Sequence, residues 1–409
     1  MKKEKVIITS MPRDTYFQWF ILGFYQLKKE GKIQLEFKVP IFTKILTIFS
    51  NEFICSIFRK IRKKVENDSY NLDGYVIDKN GNKKCFSIDS ADSPFLFDSK
   101  KLDKVDCYFK MQCPIEFNKE GFWLNDDITI PWLDHSHINN KINRLTEIGE
   151  RKECKNLFEN ISKINPLCIG TRRLSKSLRY SALRKGYKKL IKGRKNEKSK
   201  RIMCYFGNAK GPVPNATVNP VDFDSESNIL GIYADKINHP NEKRKIISGY
   251  IDSLGKDCDA RIIEKGNSDI KNKINKNLEI PLKRFGEYVG NFQYNCNVSG
   301  YRLSIPNRFM DSLSVGTAII TDKLHVKWYL PFDDSEVVET EEMGYQKNNK
   351  VNWKKINKDI KNLPNSKPKK IITLFEKKWN PKIVATYIIE TILKGGEKWN
   401  ITYVNKMKL

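Results

Sequence analysis

Acidic residues are in short supply in this chain. Its 409 residues carry 48 Asp and Glu against 75 Lys and Arg, a formal net charge of +27. That excess favours anionic partners: nucleotide diphosphates, nucleic acid or an anionic membrane face. Lys, Asn and Ile are abundant throughout, as a base-composition bias would also produce. Histidine is scarcer still, with His135, His137, His239 and His325 only. The His135/His137 pair has no Cys or carboxylate at matching ligand spacing, so no metal site is expected, and a loop or helix start accounts for it. His135 or Asp134 can still serve as a base if a cleft lies within reach. The nine cysteines are odd in number and form no C-x-x-C pair, which excludes a zinc ribbon and argues against a disulfide framework. No apolar run is long enough to span a bilayer, and the run in MKKEKVIITS is too short for a signal peptide. A cytoplasmic protein is expected, with peripheral contact at the cytoplasmic membrane face as its variant.

What is present alternates. Lys5–Thr9 reads as a strand buried on both faces, Thr15–Lys28 as a helix, and Ile33–Val39 as a strand. Ile41–Lys64 reads as one long helix, apolar at its start and basic at its end; it either packs on the core or lies on an anionic membrane. KNGNK joins two strands as a hairpin, and Val105–Met111 is a further buried strand. Cys168–Arg173 reads as a last strand before the basic run 172–201. Arg201–Phe206 opens a second series that runs to about Val338. The expectation is an α/β protein of two Rossmann-like domains. Residues 1–170 form the first, 171–200 a basic linker or helix, 201–380 the second, and 381–409 a closing helix that returns to the first.

Candidate chemistry sits where strands end, because ligands of open α/β sheets bind there. Asp14 follows the first strand, and Asp89 and Asp92 follow the hairpin; each is either an ordinary turn carboxylate or a base. Gly207, Asn208 and Lys210 read as a loop after the strand, whose N–H groups and ammonium suit an anion. The stretch 297–322 reads as loop, helix, strand. Ser304 is expected as N-cap, with Pro306 in the first turn, Arg308 and Asp311 one turn apart, and Gly316 at the end. A helix start and a guanidinium suit a diphosphate, and Asp311 a ribose hydroxyl. The plain alternative is a surface ion pair between Arg308 and Asp311. Trp328–Phe332 either lines a sugar or base pocket or packs a core.

The segment GYRLSIPNRFMDSLSVGTAIITD resembles the donor-binding segment of exostosin-like glycosyltransferases, the bacterial or viral polysaccharide kind included. Gly300, Tyr301, Ser304, Pro306, Arg308, Asp311, Gly316, Ile319 and Ile320 follow the order of that pattern. It departs in three places: Asn307 is additional, Asp311 stands where Glu is usual, and Ala318 where Pro is. The resemblance implies the GT-B architecture, two α/β domains facing across a cleft. It implies transfer of a hexosyl or related group from a nucleotide-diphosphate sugar to a glycan or lipid-linked saccharide. No metal and no separate cofactor would be needed. Tyr301, Arg302, Ser304, Arg308 and Asp311, with Gly207, Asn208 and Lys210, would then hold the donor. Asp14 or Asp92 would be the base if the reaction inverts. The rival reading is a non-catalytic basic protein on nucleic acid or membrane through 172–201, with nucleic acid the weaker case because only Tyr180 and Tyr187 interleave the charge.

Overall fold

The computed structural model describes residues 3–12, 16–65, 71–117 apart from 92, 93 and 95, 158–195 apart from 172 and 173, 202–209, 240–264, 284–298, 304–340, 363 and 366–394, with short strands between 121 and 153. Two sheets carry the architecture. In the first, β1 (Glu4–Ser10) leads to helix α1 (Gln18–Lys29) and then β2 (Ile33–Phe37). Two helices follow, α2 (Ile41–Ile48) and α3 (Glu52–Val65), then β3 (Asn71–Ile77), β4 (Lys83–Asp89), β5 (Cys107–Lys110), the short β6 (Cys113–Pro114) and β7 (Ile164–Pro166). The sheet order is β7-β5-β4-β3-β1-β2, parallel except for β3. The β3–β4 hairpin turns at Gly81, whose φ of 93° is the left-handed conformation the turn needs. Asp78 accepts from the Asn80 and Asn82 backbone N–H groups, both at 2.8 Å, and fixes that turn.

Two sequence expectations shift here. The single helix over Ile41–Lys64 is broken after Ile48. Asn51 is the cause: its side chain accepts from the N–H groups of Phe53 (2.9 Å) and Ile54 (3.3 Å) and starts a new helix. The strand expected at Cys168–Arg173 lies earlier, at Ile164–Pro166, while Leu167, Cys168 and Ile169 remain buried without pairing as a strand.

The basic run contains helix α4 (Tyr180–Leu190). Its Leu183 and Tyr187 are buried, Tyr187 edge-on to Trp19 of α1 at 5.7 Å, while Arg184, Lys185, Lys188 and Lys189 face solvent. The chain then enters β8 (Met203–Ala209), α5 (Pro240–Ser253), β9 (Cys258–Glu264), α6 (Phe285–Val289), β10 (Tyr294–Cys296), α7 (Arg308–Leu313), β11 (Ala318–Thr321), β12 (Val326–Lys327) and β13 (Val337–Glu339). This second sheet, β9-β8-β10-β11-β13, is parallel throughout. The chain moves from β8 outward to β9, then returns past β8 to begin β10. That reversal is a topological switch point, the feature that opens a crevice at the carboxyl ends of adjacent strands in Rossmann-like sheets.

Helices α8 (Pro368–Lys378) and α9 (Pro381–Lys394) close the chain. Helix α9 lies against α1 so tightly that a Cβ on Gly23 would meet the Pro381 carbonyl oxygen at 2.0 Å. Trp19 Nε1 donates to Trp379 O at 3.0 Å, and Tyr387 OH to Pro166 O at 2.9 Å. Trp328, Tyr329 and Phe332 pack here: Trp328 and Phe332 meet Trp379 at 4.9 and 5.5 Å, and Tyr329 stacks on Tyr387 at 4.2 Å. The aromatic stretch is therefore core packing. One apolar core runs through both sheets, from Val6 and Phe20 to Ile320 and Ile388. The pairing of β6 with β12 joins the two halves by backbone as well.

Candidate functional site at the switch point

Tyr205, on β8, is fully buried beside the switch point. On the neighbouring strand β10, Cys296 is buried as well, and the chain continues through Asn297. Asn297 is pinned to β11: its N–H donates to Ile320 O at 2.7 Å and its Nδ2 to Thr321 Oγ1 at 2.9 Å. The chain re-enters the described residues at Ser304, itself buried.

The helix expected from Ser304 begins four residues later. Ser304, Ile305 and Pro306 carry no helical structure, Asn307 holds the cap position, and no side chain caps the helix. A tertiary contact overrides the local signal. Gln112, after β5, forks onto Ile305: its Nε2 donates to Ile305 O at 2.8 Å and its Oε1 accepts from Ile305 N at 2.9 Å. Those backbone groups are committed outside any helix. Helix α7 is only six residues long, so the expected N-terminal dipole has little weight.

Arg308 is the first residue of α7 and is 7% exposed. Its guanidinium carbon stands 5.4 Å from the centre of the Tyr205 ring. Its Nη1 is buried and has no hydrogen-bond partner among the described residues. A charged donor left in that state costs about 1–3 kcal/mol or more. Arg244, on α5, contributes from the other side. Burial raises the Tyr205 hydroxyl pKa, and the charges of Arg308 and then Arg244 pull it back. Burial likewise raises Cys296, with Arg308 opposing and Asp322 adding to the rise. Two guanidiniums thus share one neighbourhood, level with the middle of β8 and the end of β10, with the Asp322 carboxylate on its border.

Asp311 is also buried, and it does not pair with Arg308 as a surface couple. It accepts from the hydroxyl of Thr171, a residue between β7 and α4. Gln112 and Thr171 both come from the first half of the chain, and both hold the segment that carries Arg308.

Other expected site residues fall differently. Gly207 and Asn208 are not in a loop. They extend β8, opposite Ile262 and Ile263 of β9, so their backbone belongs to the ladder. Sheet pairing outweighs the turn preference of Gly and Asn. Lys210, Tyr301, Arg302, Asp14 and Asp92 lie outside the described residues, as do His135 and His137. Asp89 is fully buried at the end of β4 and fully engaged: Lys110 Nζ is at 2.9 Å, Tyr108 OH donates at 2.7 Å and Ala91 N–H at 2.7 Å. A carboxylate so engaged, with no exposure to solvent, is out of reach of an acceptor hydroxyl. Burial, then the Asp89 charge, drives the Tyr108 hydroxyl well above its ordinary pKa and keeps it a donor. Among the described residues no group of three or more His, Cys, Asp or Glu is placed to hold a metal ion.

Tyr205, Arg244, Gln112 and Thr171 were not singled out by sequence. A tyrosine within an apolar strand reads as core, and an arginine within a basic helix reads as solvated. The one available hint was the position of Tyr205 shortly before the end of a strand that opens a parallel sheet.

No protein-family profile matches the chain, and no curated protein matches it in sequence. Among solved structures, a chain in the crystal structure of a GtfA/B complex is similar to it with a TM-score of 0.18 and 11% identity, over 51% of this chain. The match spans 35% of the length of that other chain. So distant a likeness carries no inference about chemistry.

Proposed function

We propose that this chain is a glycosyltransferase that takes a sugar from a nucleotide-diphosphate donor. The observation that supports it is the Arg308 guanidinium, buried beside Tyr205 at a switch point of a parallel sheet, with no hydrogen-bond partner for Nη1 among the described residues. A crevice of this kind in a Rossmann-like sheet suits a nucleotide. A desolvated guanidinium there, with a second from Arg244, suits the two negative charges of a diphosphate leaving group. Fixed positive charge facing a departing anion commonly lowers the barrier more than any other catalytic device. Two guanidiniums can fill the role a divalent cation fills elsewhere, so the proposal requires none.

In this reading the two sheets face each other as the lobes of a GT-B enzyme, and the first supplies the binding surface for the acceptor, a glycan or lipid-linked saccharide. Asp311 or Asp322 accepts from a ribose hydroxyl. Tyr301, Arg302, Ser304 and Lys210 complete the donor site. If configuration inverts, Asp14 or Asp92 takes the acceptor proton from the loops after β1 and β4. A panel of UDP-, GDP-, TDP- and CMP-sugars tested by thermal shift decides the matter: one nucleotide raises the melting temperature and Arg308→Ala erases that rise. No shift with any nucleotide refutes the proposal.

A non-catalytic reading draws on the solvent-facing Arg184, Lys185, Lys188 and Lys189 of α4. It differs in requiring steep loss of polyanion binding with salt and indifference to nucleotide sugars.

A further inference from the structure

Large apolar side chains exposed to solvent are concentrated in one place. Six are exposed among the described residues, and five of them fall between Ile41 and Ile57: Ile41 (63%), Ile48 (54%), Phe49 (42%), Phe53 (74%) and Ile57 (44%). They sit on α2, on α3 and in the turn that joins them. Scattered singly such residues need no explanation; gathered on one hairpin they mark a contact surface.

The hairpin is not loosely attached. Its other face is built into the protein, with Thr43, Leu46 and Cys55 fully buried. The segment before α4 grips it: Leu178 N–H donates to Leu46 O at 2.7 Å, Ser177 Oγ donates to the carbonyls of Leu46 and Phe49, and Arg59 Nε donates to Lys176 O at 2.6 Å. Arg62, buried, donates to Met11 O. The two helices are thus held from behind, and the phenylalanines are presented outward on a rigid base.

Charge identifies the occupant. Residues 41–64 carry Lys44, Arg59, Lys60, Arg62, Lys63 and Lys64 against Glu52 alone. Lys44 and Lys60 are exposed on the same two helices. The same segment that grips the hairpin runs straight into α4 with its four exposed cations. A second copy of this chain would set like charges against like across a two-fold interface, and each copy already carries +27. A bilayer with acidic lipids has the opposite character: its headgroups take the ammonium groups while its acyl boundary takes Phe and Ile. The chain needs no spanning helix for this, and none of its described helices is long and apolar enough to cross a membrane.

We infer that the α2–α3 hairpin is a docking surface for an anionic lipid bilayer, inserting Phe49 and Phe53 with Lys44 and Lys60 at headgroup level. The inference stands apart from the proposed transfer reaction, since it uses neither Arg308 nor any nucleotide.

The test is flotation of the full chain with vesicles of pure phosphatidylcholine and with vesicles of phosphatidylcholine and phosphatidylglycerol in a three-to-one ratio. The expected result is binding to the anionic vesicles and much weaker binding to the neutral ones. Phe49→Ser with Phe53→Ser lowers the partition coefficient at least tenfold with an unchanged melting temperature, because both side chains are exposed. Lys44→Gln with Lys60→Gln lowers it too and flattens its salt dependence. Three results overturn the inference: no binding of the parent chain to anionic vesicles, full binding by the phenylalanine variant, or a lipid-free dimer in light scattering that the phenylalanine variant converts to monomer. The last would assign the surface to a second copy.

Discussion

Gln112 holds both backbone polar atoms of Ile305, at 2.8 and 2.9 Å, across 193 residues of sequence. Arg308 is three residues further on, so a side chain from the first half of the chain fixes the approach to the guanidinium of the second. Gln112→Leu leaves two buried backbone groups without partners. The expected cost is about 2–4 kcal/mol in urea unfolding. A companion effect is expected in ligand binding: the nucleotide-induced rise in melting temperature falls even after the stability loss is subtracted. A loss of stability with a full nucleotide response would confine Gln112 to scaffolding.

Arg308 itself should behave in the opposite way. Its Nη1 is buried with no hydrogen-bond partner among the described residues, and removing it relieves a cost. Arg308→Met is expected to melt at or above the parent temperature while abolishing transferase turnover and the nucleotide shift. A fall in stability of several kcal/mol would instead make the guanidinium a structural brace.

Much of the fold was readable from sequence, and the site less so. The β3–β4 hairpin was announced by KNGNK because Gly81 must take a positive φ, a local demand that no distant contact alters. Gly316 ended α7 for the same reason, at φ 75°. Ser304 failed as a cap because Gln112, a residue no local pattern connects to it, holds the N–H and carbonyl of Ile305 outside any helix. Gly207 and Asn208 failed as a loop because β9 pairs with them. Tyr205 and Arg244 could not be nominated at all: what distinguishes them is proximity to Arg308, and proximity across α5, β8 and α7 is decided by packing. Composition did disclose the excess of cations, though not that four of them would line the outer face of α4.

Lys110 and Asp89 form a pair with both side chains at 0% exposure, and the Lys110 ammonium also lies 4.8 Å from the centre of the Phe97 ring. Lys110→Met strands the carboxylate in the core. A loss of about 3–5 kcal/mol is expected in equilibrium unfolding. Adding Asp89→Leu to that variant should restore a good part of it, because the penalty belongs to the lone charge more than to the missing pair. Equal losses in the single and double variants would contradict this.

Acid sensitivity should have a traceable source in Asp333. Burial alone would raise its pKa, but the Lys370 ammonium at 2.8 Å and the Ser335 hydroxyl and N–H outweigh burial and hold it far below the carboxylate range. The folded state therefore binds this proton later than the unfolded chain does. The stabilisation is complete above about pH 4, the ordinary carboxylate pKa, and drains away as pH falls below it. Asp333→Asn should lower the melting temperature at pH 7, and by clearly less at pH 2. A constant gap between the two proteins across that range would exclude Asp333 as the source.

The seat that Gly23 provides for α9 has a bearing on how the polypeptide is made. Helix α1 is synthesised long before the element that covers its glycine face, Pro381–Lys394. Until then Gly23 lacks its native cover, and the nascent chain is open to wrong associations. Removing Pro381–Lys394 would thus leave that face permanently vacant, and the product would be expected in inclusion bodies.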